Sequence, residues 1–180
     1  MSVIDKKRMI GNTMKTFALF AVSVMLSTPA LAEVKVSFIE GAPKDRFVIA
    51  NSGHCDLGST IVRIDLSTAA TGLVFDVTDS GAGVAVYQPF ELVSGQNVVR
   101  HHSSIADGDT AVTLELDSLA SGQSVDFTID IDDTGGSTET MVAGSEIIGA
   151  EVTVTTLGQV YLETMSGQSQ AVLTISGCAA

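Results

Sequence analysis

The chain has 180 residues, 45% of them hydrophobic, and its 21 acidic residues outnumber nine basic ones to give a formal net charge of −12. This charge argues against binding to nucleic acid or to an anionic membrane, because both repel an acidic surface. The length and the apolar content favour one domain with a sizeable core.

The N-terminal residues have the pattern of an export signal. In residues 14–32, Lys15 supplies a positive start, an apolar run begins at Phe17, and Ala30 and Ala32 form the small-x-small cleavage signal. The apolar run is shorter than a bilayer requires and contains serine, threonine and proline, so a retained membrane anchor is the weaker alternative. We therefore expect a cleavable signal peptide and a protein that works in the periplasm or outside the cell.

The expected domain organisation follows from this cleavage site. Residues 1–32 comprise an N-terminal extension and the signal peptide, with translation starting at Met1 or Met14, and residues 33–180 form one β-sandwich domain without membrane insertion. The domain keeps five basic and 20 acidic residues, a net charge of −15. Such a charge suits divalent cations or basic partners, although a solvated acidic surface explains it as well.

The two cysteines, Cys55 and Cys178, both lie in the expected mature domain. Exported chains with two cysteines usually pair them, so the sequence predicts a Cys55–Cys178 disulfide that ties down the last strand. Two thiols or a metal site are poorer alternatives, because no further cysteine pair or histidine cluster supplies the remaining ligands.

The body of the chain has the period-two alternation of β-strands, interrupted by turn residues rich in glycine, serine, asparagine and aspartate. Short strands at this spacing predict an all-β fold, a single antiparallel β-sandwich, with a barrel or β-solenoid as the alternative. The pattern of residues 119–129 is typical of immunoglobulin-like bacterial modules. Strands are predicted at residues 34–38, 46–50, 60–66, 73–77, 89–93, 111–116, 125–131, 147–148, 151–155, 160–164 and 171–175.

The acidic strand end at residues 126–134 is the strongest candidate for a functional site. Because side chains alternate along a strand, Asp126, Asp130 and Asp132 are expected on one outer face. Calcium accepts carboxylate oxygens from flexible loops, so the sequence predicts a calcium site formed by five residues. Its expected ligands are Asp130, Asp132, Asp133, Asp107 and Asp109. The alternative is a solvated acidic edge that discourages pairing between sheets.

Histidine and tyrosine give weaker signals. His101 and His102 are expected in a surface loop, and no Gly-x-Ser-x-Gly motif accompanies them, so no catalytic residue is predicted. The chain has no tryptophan, and an exposed Tyr87 at a strand end would be its one platform for a glycan; the more common role of such a tyrosine is to cover the core with its hydroxyl group in water.

Several segments resemble a family of small exported bacterial proteins labelled "aggregation factor core", after a sponge adhesion factor. The resemblance rests on residues 41–47, 51–55, 87–92 and 127–134 and extends over nearly all of the expected mature domain. It implies calcium-dependent adhesion between cells or between cells and matrix. Asp130, Asp132 and Asp133 correspond to the acidic element that such an adhesin needs, and no catalytic residue is implied.

Together these features predict an exported, non-enzymatic β-sandwich for surface interaction, adhesion or aggregation, with calcium as the expected cofactor. The expected partner is a cell-surface or matrix protein or a glycan. The alternatives are a periplasmic or extracellular module that binds a small ligand or glycan, and a hydrolase with an unrecognised site.

Overall fold

The computed structural model describes residues 31–79, 87–134 and 142–178. Apart from Leu31 and Ala32, the predicted extension and signal peptide lie outside the described residues. The strands are β1 (Ala32–Ile39), β2 (Asp45–Asn51), β3 (Thr60–Asp65), β4 (Leu73–Phe75), β5 (Glu91–Ser94), β6 (Val99–His102), β7 (Ala111–Leu116), β8 (Ser124–Ile129), β9 (Ile131–Asp133), β10 (Glu151–Thr156), β11 (Gln159–Thr164) and β12 (Gln170–Ile175). A single 3-10 turn, Leu66–Thr68, follows β3.

The strands form two five-stranded antiparallel sheets, which confirms the predicted all-β sandwich. The first sheet has the order β12-β1-β2-β8-β5 and the second has the order β11-β10-β3-β7-β6. A separate pair, β4 and β9, forms a small antiparallel ribbon in which Leu73 lies opposite Asp133. The immunoglobulin-like subtype stays a prediction. Across the described ranges, no helix is long and apolar enough to cross a membrane.

The core lies between the two sheets and consists of the inward side of each alternating strand. In β7, for example, Val112, Leu114 and Leu116 are fully buried, while the residues between them are only partly covered. Phe127 lies between two other aromatic rings, since its ring centroid is 5.1 Å from that of Phe47 and 4.9 Å from that of Phe90. Each of these rings removes a large apolar area from water, which is the main favourable contribution to folding.

The predicted disulfide is confirmed. Cys55, in the loop after β2, is bonded to Cys178, three residues beyond the end of β12, and the two Cα atoms are 6.2 Å apart. The bond therefore links the C-terminal edge strand of the first sheet to the loop that follows β2.

Two predicted local structures are wrong. Ile147 and Ile148 lie in turns and not in a strand. Ile147 is fully buried all the same, so its apolar side chain belongs to the core without being part of a sheet. His101 and His102 lie in β6, paired with Glu115 and Leu114 of β7, and not in a loop. Their strand is hidden in the sequence because four successive residues of β6 lack buried side chains and so give no hydrophobic alternation.

The start of β1 includes the last residues of the predicted signal peptide. Ala32 is fully buried and lies opposite Ile175 of β12, and the Leu31 carbonyl accepts a hydrogen bond from the His54 N–H at 2.9 Å. Gly53 packs so closely there that a Cβ atom would lie 2.4 Å from the Cα of Ala32. Cleavage after Ala32, which stays a prediction, would remove this first sheet pair from the mature domain.

Candidate functional site

The candidate site forms where the chain leaves the first sheet. β8 ends at Ile129 and β9 begins at Ile131, so Asp130 lies at the break between two different sheets. The expectation that Asp130 and Asp132 share an outer face is wrong, since they are only 4% and 3% exposed. The change of sheet interrupts the strand alternation, so that four successive residues, 129–132, are all buried.

Asp76 lies beside this break, directly after β4, and is 1% exposed. Its N–H donates to the Asp130 carbonyl at 3.1 Å, and its carbonyl accepts from the Gln88 N–H at 3.2 Å. The Gln88 carbonyl in turn accepts from the Asp130 N–H at 3.2 Å. Three chain segments are thus joined through their backbones, which brings the Asp76 and Asp130 side chains to the same end of the sandwich.

Asp76 and Asp132 interact directly. Burial, followed by a hydrogen bond between the two carboxyl groups and by the charges of Asp132 and Asp107, raises the pKa of Asp76 to about 6. Two carboxyl groups can form such a bond only when one of them holds a proton. The hydrogen bond between Asp76 and Asp132 therefore depends on a proton held by the pair.

Two further carboxyl groups share this environment. Burial and the charges of Asp132 and Asp76 raise the pKa of Asp130 to about 7. Asp45, at the start of β2 and 2% exposed, also has its pKa raised to about 7, mainly by burial. Its Oδ1 accepts from the Gly41 N–H at 3.1 Å. We call Asp45, Asp76, Asp130 and Asp132 the carboxylate cluster.

Within the described residues, no basic side chain shifts the pKa of Asp45, Asp76 or Asp130. The causes of these shifts are burial, other carboxylates and backbone donors. The Oδ2 atoms of Asp76 and Asp130 are buried and have no hydrogen-bond partner among the described residues. Buried carboxylates are normally paired or coordinated to a metal, so this arrangement calls for protons or a cation.

The other expected calcium ligands already have partners of their own. Asp107 accepts hydrogen bonds from the Thr78 hydroxyl and from the N–H groups of Val77 and Thr78 at 2.7 and 2.8 Å, which lower its pKa. The Oδ2 atom of Asp109 accepts from the Ala106 N–H at 2.8 Å. The turn that holds both aspartates nevertheless lies next to the end of β4, because the Phe75 N–H donates to the Asp109 carbonyl at 2.8 Å.

Sequence reasoning missed Asp45 and Asp76. In residues 73–77 the alternation places Leu73, Phe75 and Val77 inward and therefore Asp76 outward, and nothing local marks it as buried. Only the long-range backbone pairing with Gln88 and Asp130 shows its position. Within the described ranges, no three histidine, cysteine, aspartate or glutamate side chains already converge closely enough to hold a metal ion.

An open cleft of about 310 Å³ lies beside the carboxylate cluster. The Phe90 and His102 rings stack there with their centroids 4.4 Å apart, and the His102 Nδ1 lies 2.9 Å from the Ser103 carbonyl oxygen. Tyr87 is 38% exposed at the start of the segment that leads into β5. The cleft is lined by Val77, Thr78, Pro89, Phe90, His102 and Ile105.

Comparison with models of known protein families gave no match, and comparison with curated proteins gave none either.

Proposed function

We propose that the protein is an exported, non-enzymatic β-sandwich of immunoglobulin-like type that acts in surface interaction, adhesion or aggregation and requires calcium. It works in the periplasm or outside the cell, and its partner is a cell-surface or matrix protein or a glycan. The observation that supports the proposal best is the burial of Asp45, Asp76 and Asp130, whose pKa values are raised by burial and by other carboxylates and are not lowered by a lysine or arginine among the described residues. The disulfide Cys55–Cys178 is compatible with an oxidising compartment.

A cation suits this site better than a basic side chain of a partner. Buried ionised carboxylates cost several kcal/mol unless they are paired or bind a metal ion. Calcium is the ion that best suits an all-oxygen site of irregular geometry, because it takes six to eight oxygen ligands from carboxylates, carbonyls and water. An extracellular module with such a site changes its surface and its rigidity with the calcium concentration, which is what a calcium-dependent adhesin needs.

The experiment is a clustering assay with beads coated with the purified protein. We expect the beads to cluster in millimolar calcium, to disperse when calcium is chelated and to cluster again when calcium is restored. Beads coated with the Asp117→Asn variant are the matched control. Asp117 is an exposed carboxylate that pairs with Arg100 and does not belong to the carboxylate cluster. Clustering that does not depend on calcium, or no clustering at all, would contradict the proposal.

A second candidate function, the binding of a small ligand or glycan, is favoured by the cleft. Its volume of about 310 Å³ is at the lower end of the range for small-molecule sites, and its apolar walls include one stacked pair of rings. Glycan-array or ligand-library binding that survives chelation and is lost on Phe90→Ala or Tyr87→Ala would favour this function over adhesion.

A further inference from the structure

We infer that two copies of this chain associate through β11, with their β11 strands paired antiparallel so that the second sheets of both molecules become one. The inference deepens the proposed function by naming the partner, and it rests on that function for the biological role of the contact. Its test measures association directly, so that the contact and the calcium-dependent adhesion can fail separately.

β11 is an edge strand of the second sheet, and no other strand of the described residues covers its outer side. None of its six residues has a buried side chain. Val160 and Leu162 are 68% and 58% exposed, more than any other large apolar side chain in the described ranges. An ordered strand that exposes apolar side chains and adds so little to the core indicates a surface that another chain covers.

The backbone of β11 offers hydrogen-bonding groups along the same edge. The two turn residues 157–158 both have positive φ, as in the type I′ turn of a two-residue hairpin. In such a hairpin Gln159 exchanges hydrogen bonds with Thr156. The alternation of antiparallel pairing therefore directs the N–H and C=O groups of Val160 and Leu162 away from β10.

The other edge strands of the two sheets have features that discourage pairing. β5 and β6 have only four residues each, and each shows a register shift against its neighbour. β12 is regular, but its exposed Val172 lies opposite Lys35 of β1, whose charged side chain shares that face. Proteins protect sheet edges with short strands, bulges, lysine and proline, and β11 has none of these.

The sequence of β11 is complementary to itself in the antiparallel direction. When Tyr161 lies opposite Tyr161 of a second copy, each Val160 lies opposite a Leu162 and each Gln159 lies opposite a Glu163. Each Val160–Leu162 pair then exchanges backbone hydrogen bonds in both directions and forms an apolar cross-strand contact. Both copies use the same patch, as a two-fold symmetric interface requires.

Like charges do not oppose each other in this register, although each copy has a formal net charge of −12. The two Glu163 residues are separated by about 14 Å, four residues along the strands, which exceeds the Debye length of about 8 Å at physiological ionic strength. What remains is repulsion between whole molecules, which salt screens and bound calcium would reduce. Association should therefore strengthen as salt rises, whereas a basic peptide on the same edge would bind more weakly.

The test is sedimentation velocity of the purified protein in chelator, at concentrations up to about 1 mM, in low salt and in about 0.5 M NaCl. We expect a monomer–dimer equilibrium that strengthens with salt. Leu162→Pro removes an outward N–H without removing a bond to β10, so it should weaken dimerisation at least about tenfold. Val172→Pro, the same change at an exposed apolar residue of the β12 edge, is the matched control and should change it by less than about twofold.

Several outcomes would overturn the contact. They are a monomer at the highest concentration in 0.5 M NaCl, association that weakens with salt, wild-type dimerisation in Leu162→Pro, and loss of the dimer in Val172→Pro alone. If circular dichroism shows that Leu162→Pro does not fold, Val160→Lys decides. This variant carries less negative charge, so weaker dimerisation cannot come from general repulsion between the copies.

The bead assay separates the contact from the adhesive role. Dimers in solution without calcium-dependent clustering of beads keep the contact and refute adhesion. Calcium-dependent clustering of beads coated with Leu162→Pro keeps adhesion and refutes β11 as its contact.

Discussion

At the scale of single residues, the pKa of Asp45 predicts how stability depends on pH. Burial raises this pKa from 3.8 to about 7, so the folded protein prefers the protonated carboxyl group. Between these two values the folded state holds more protons than the unfolded state, and the free energy of unfolding must fall as pH rises. With calcium chelated, we expect the protein to be more stable at pH 5 than at pH 8, as measured by urea denaturation at both values.

The variant Asp45→Asn tests whether Asp45 contributes to this dependence. Asparagine has no proton to lose, so the variant should lose less stability between pH 5 and pH 8. The difference should be about 1.4 kcal/mol for each unit by which folding raises the pKa of Asp45 within this pH range. Asp76 and Asp130 act in the same direction, so part of the dependence should remain. Asp117→Asn, an exposed control, should retain the full dependence, and an unchanged slope in Asp45→Asn would contradict the assignment.

At the scale of strands, the sequence predicts an element well where burial alternates and turn residues mark both ends. β7 has the predicted bounds 111–116, because Val112, Leu114 and Leu116 face the core and polar residues face outward. β6 is missed because its side chains do not alternate in burial. The strand predicted at 125–131 divides at Asp130, because pairing with β4, a contact distant in sequence, draws β9 out of the first sheet.

The candidate site is predictable only in part for the same reason. The sequence marks Asp130 and Asp132 through the density of acidic residues, but it does not show at which end of the sandwich Asp107 and Asp109 lie. It does not show that Asp107 and Asp109 bind their own backbone, or that Asp45 and Asp76 are buried. Burial of these two depends on the packing of separate chain segments, which leaves no local periodic signal.

The strand connections also predict that the carboxylate cluster and the cleft respond together. Val77 directly follows Asp76, and Pro89 follows Gln88, whose backbone bonds to Asp76 and Asp130. Calcium bound at the cluster should therefore shift both walls of the cleft and change the environment of His102. We expect the NMR signal of the His102 ring to move on calcium titration, with the same midpoint that a calorimetric titration of the protein with calcium gives.

His54 is the internal control for this NMR experiment. β2 begins at the cluster with Asp45 and ends at Asn51, three residues before His54, so His54 lies at the opposite end of the sandwich. Its ring signal should stay unchanged during the titration. Equal shifts of the His54 and His102 signals would indicate a change of the whole molecule and would refute a local coupling.

At the scale of the whole molecule, the two ends of the sandwich are stabilised in different ways. One end has the disulfide between Cys55 and Cys178, which closes a loop with a sequence separation of 123 residues. The other end has the carboxylate cluster, where the burial of Asp45 and Asp130 raises their pKa values to about 7 and disfavours their ionised forms in the folded protein. The disulfide thus stabilises the fold at one end, whereas at the other end protonation of the carboxyl groups or a bound cation would stabilise it.

The double variant Cys55→Ala/Cys178→Ala separates these contributions. A disulfide that closes so long a loop restricts the unfolded chain, so its removal should lower the free energy of unfolding by about 2–5 kcal/mol. Because Cys55 lies near the end of β2 opposite to Asp45, calcium affinity in the folded double variant should remain within about twofold of wild type. Urea denaturation in chelator measures the first effect and calorimetry the second, with wild-type protein under reducing conditions as the chemical control.

An unchanged urea midpoint would show that the disulfide does not stabilise the fold, whereas a large loss of calcium affinity in the folded variant would show that the two ends are coupled through the sheets.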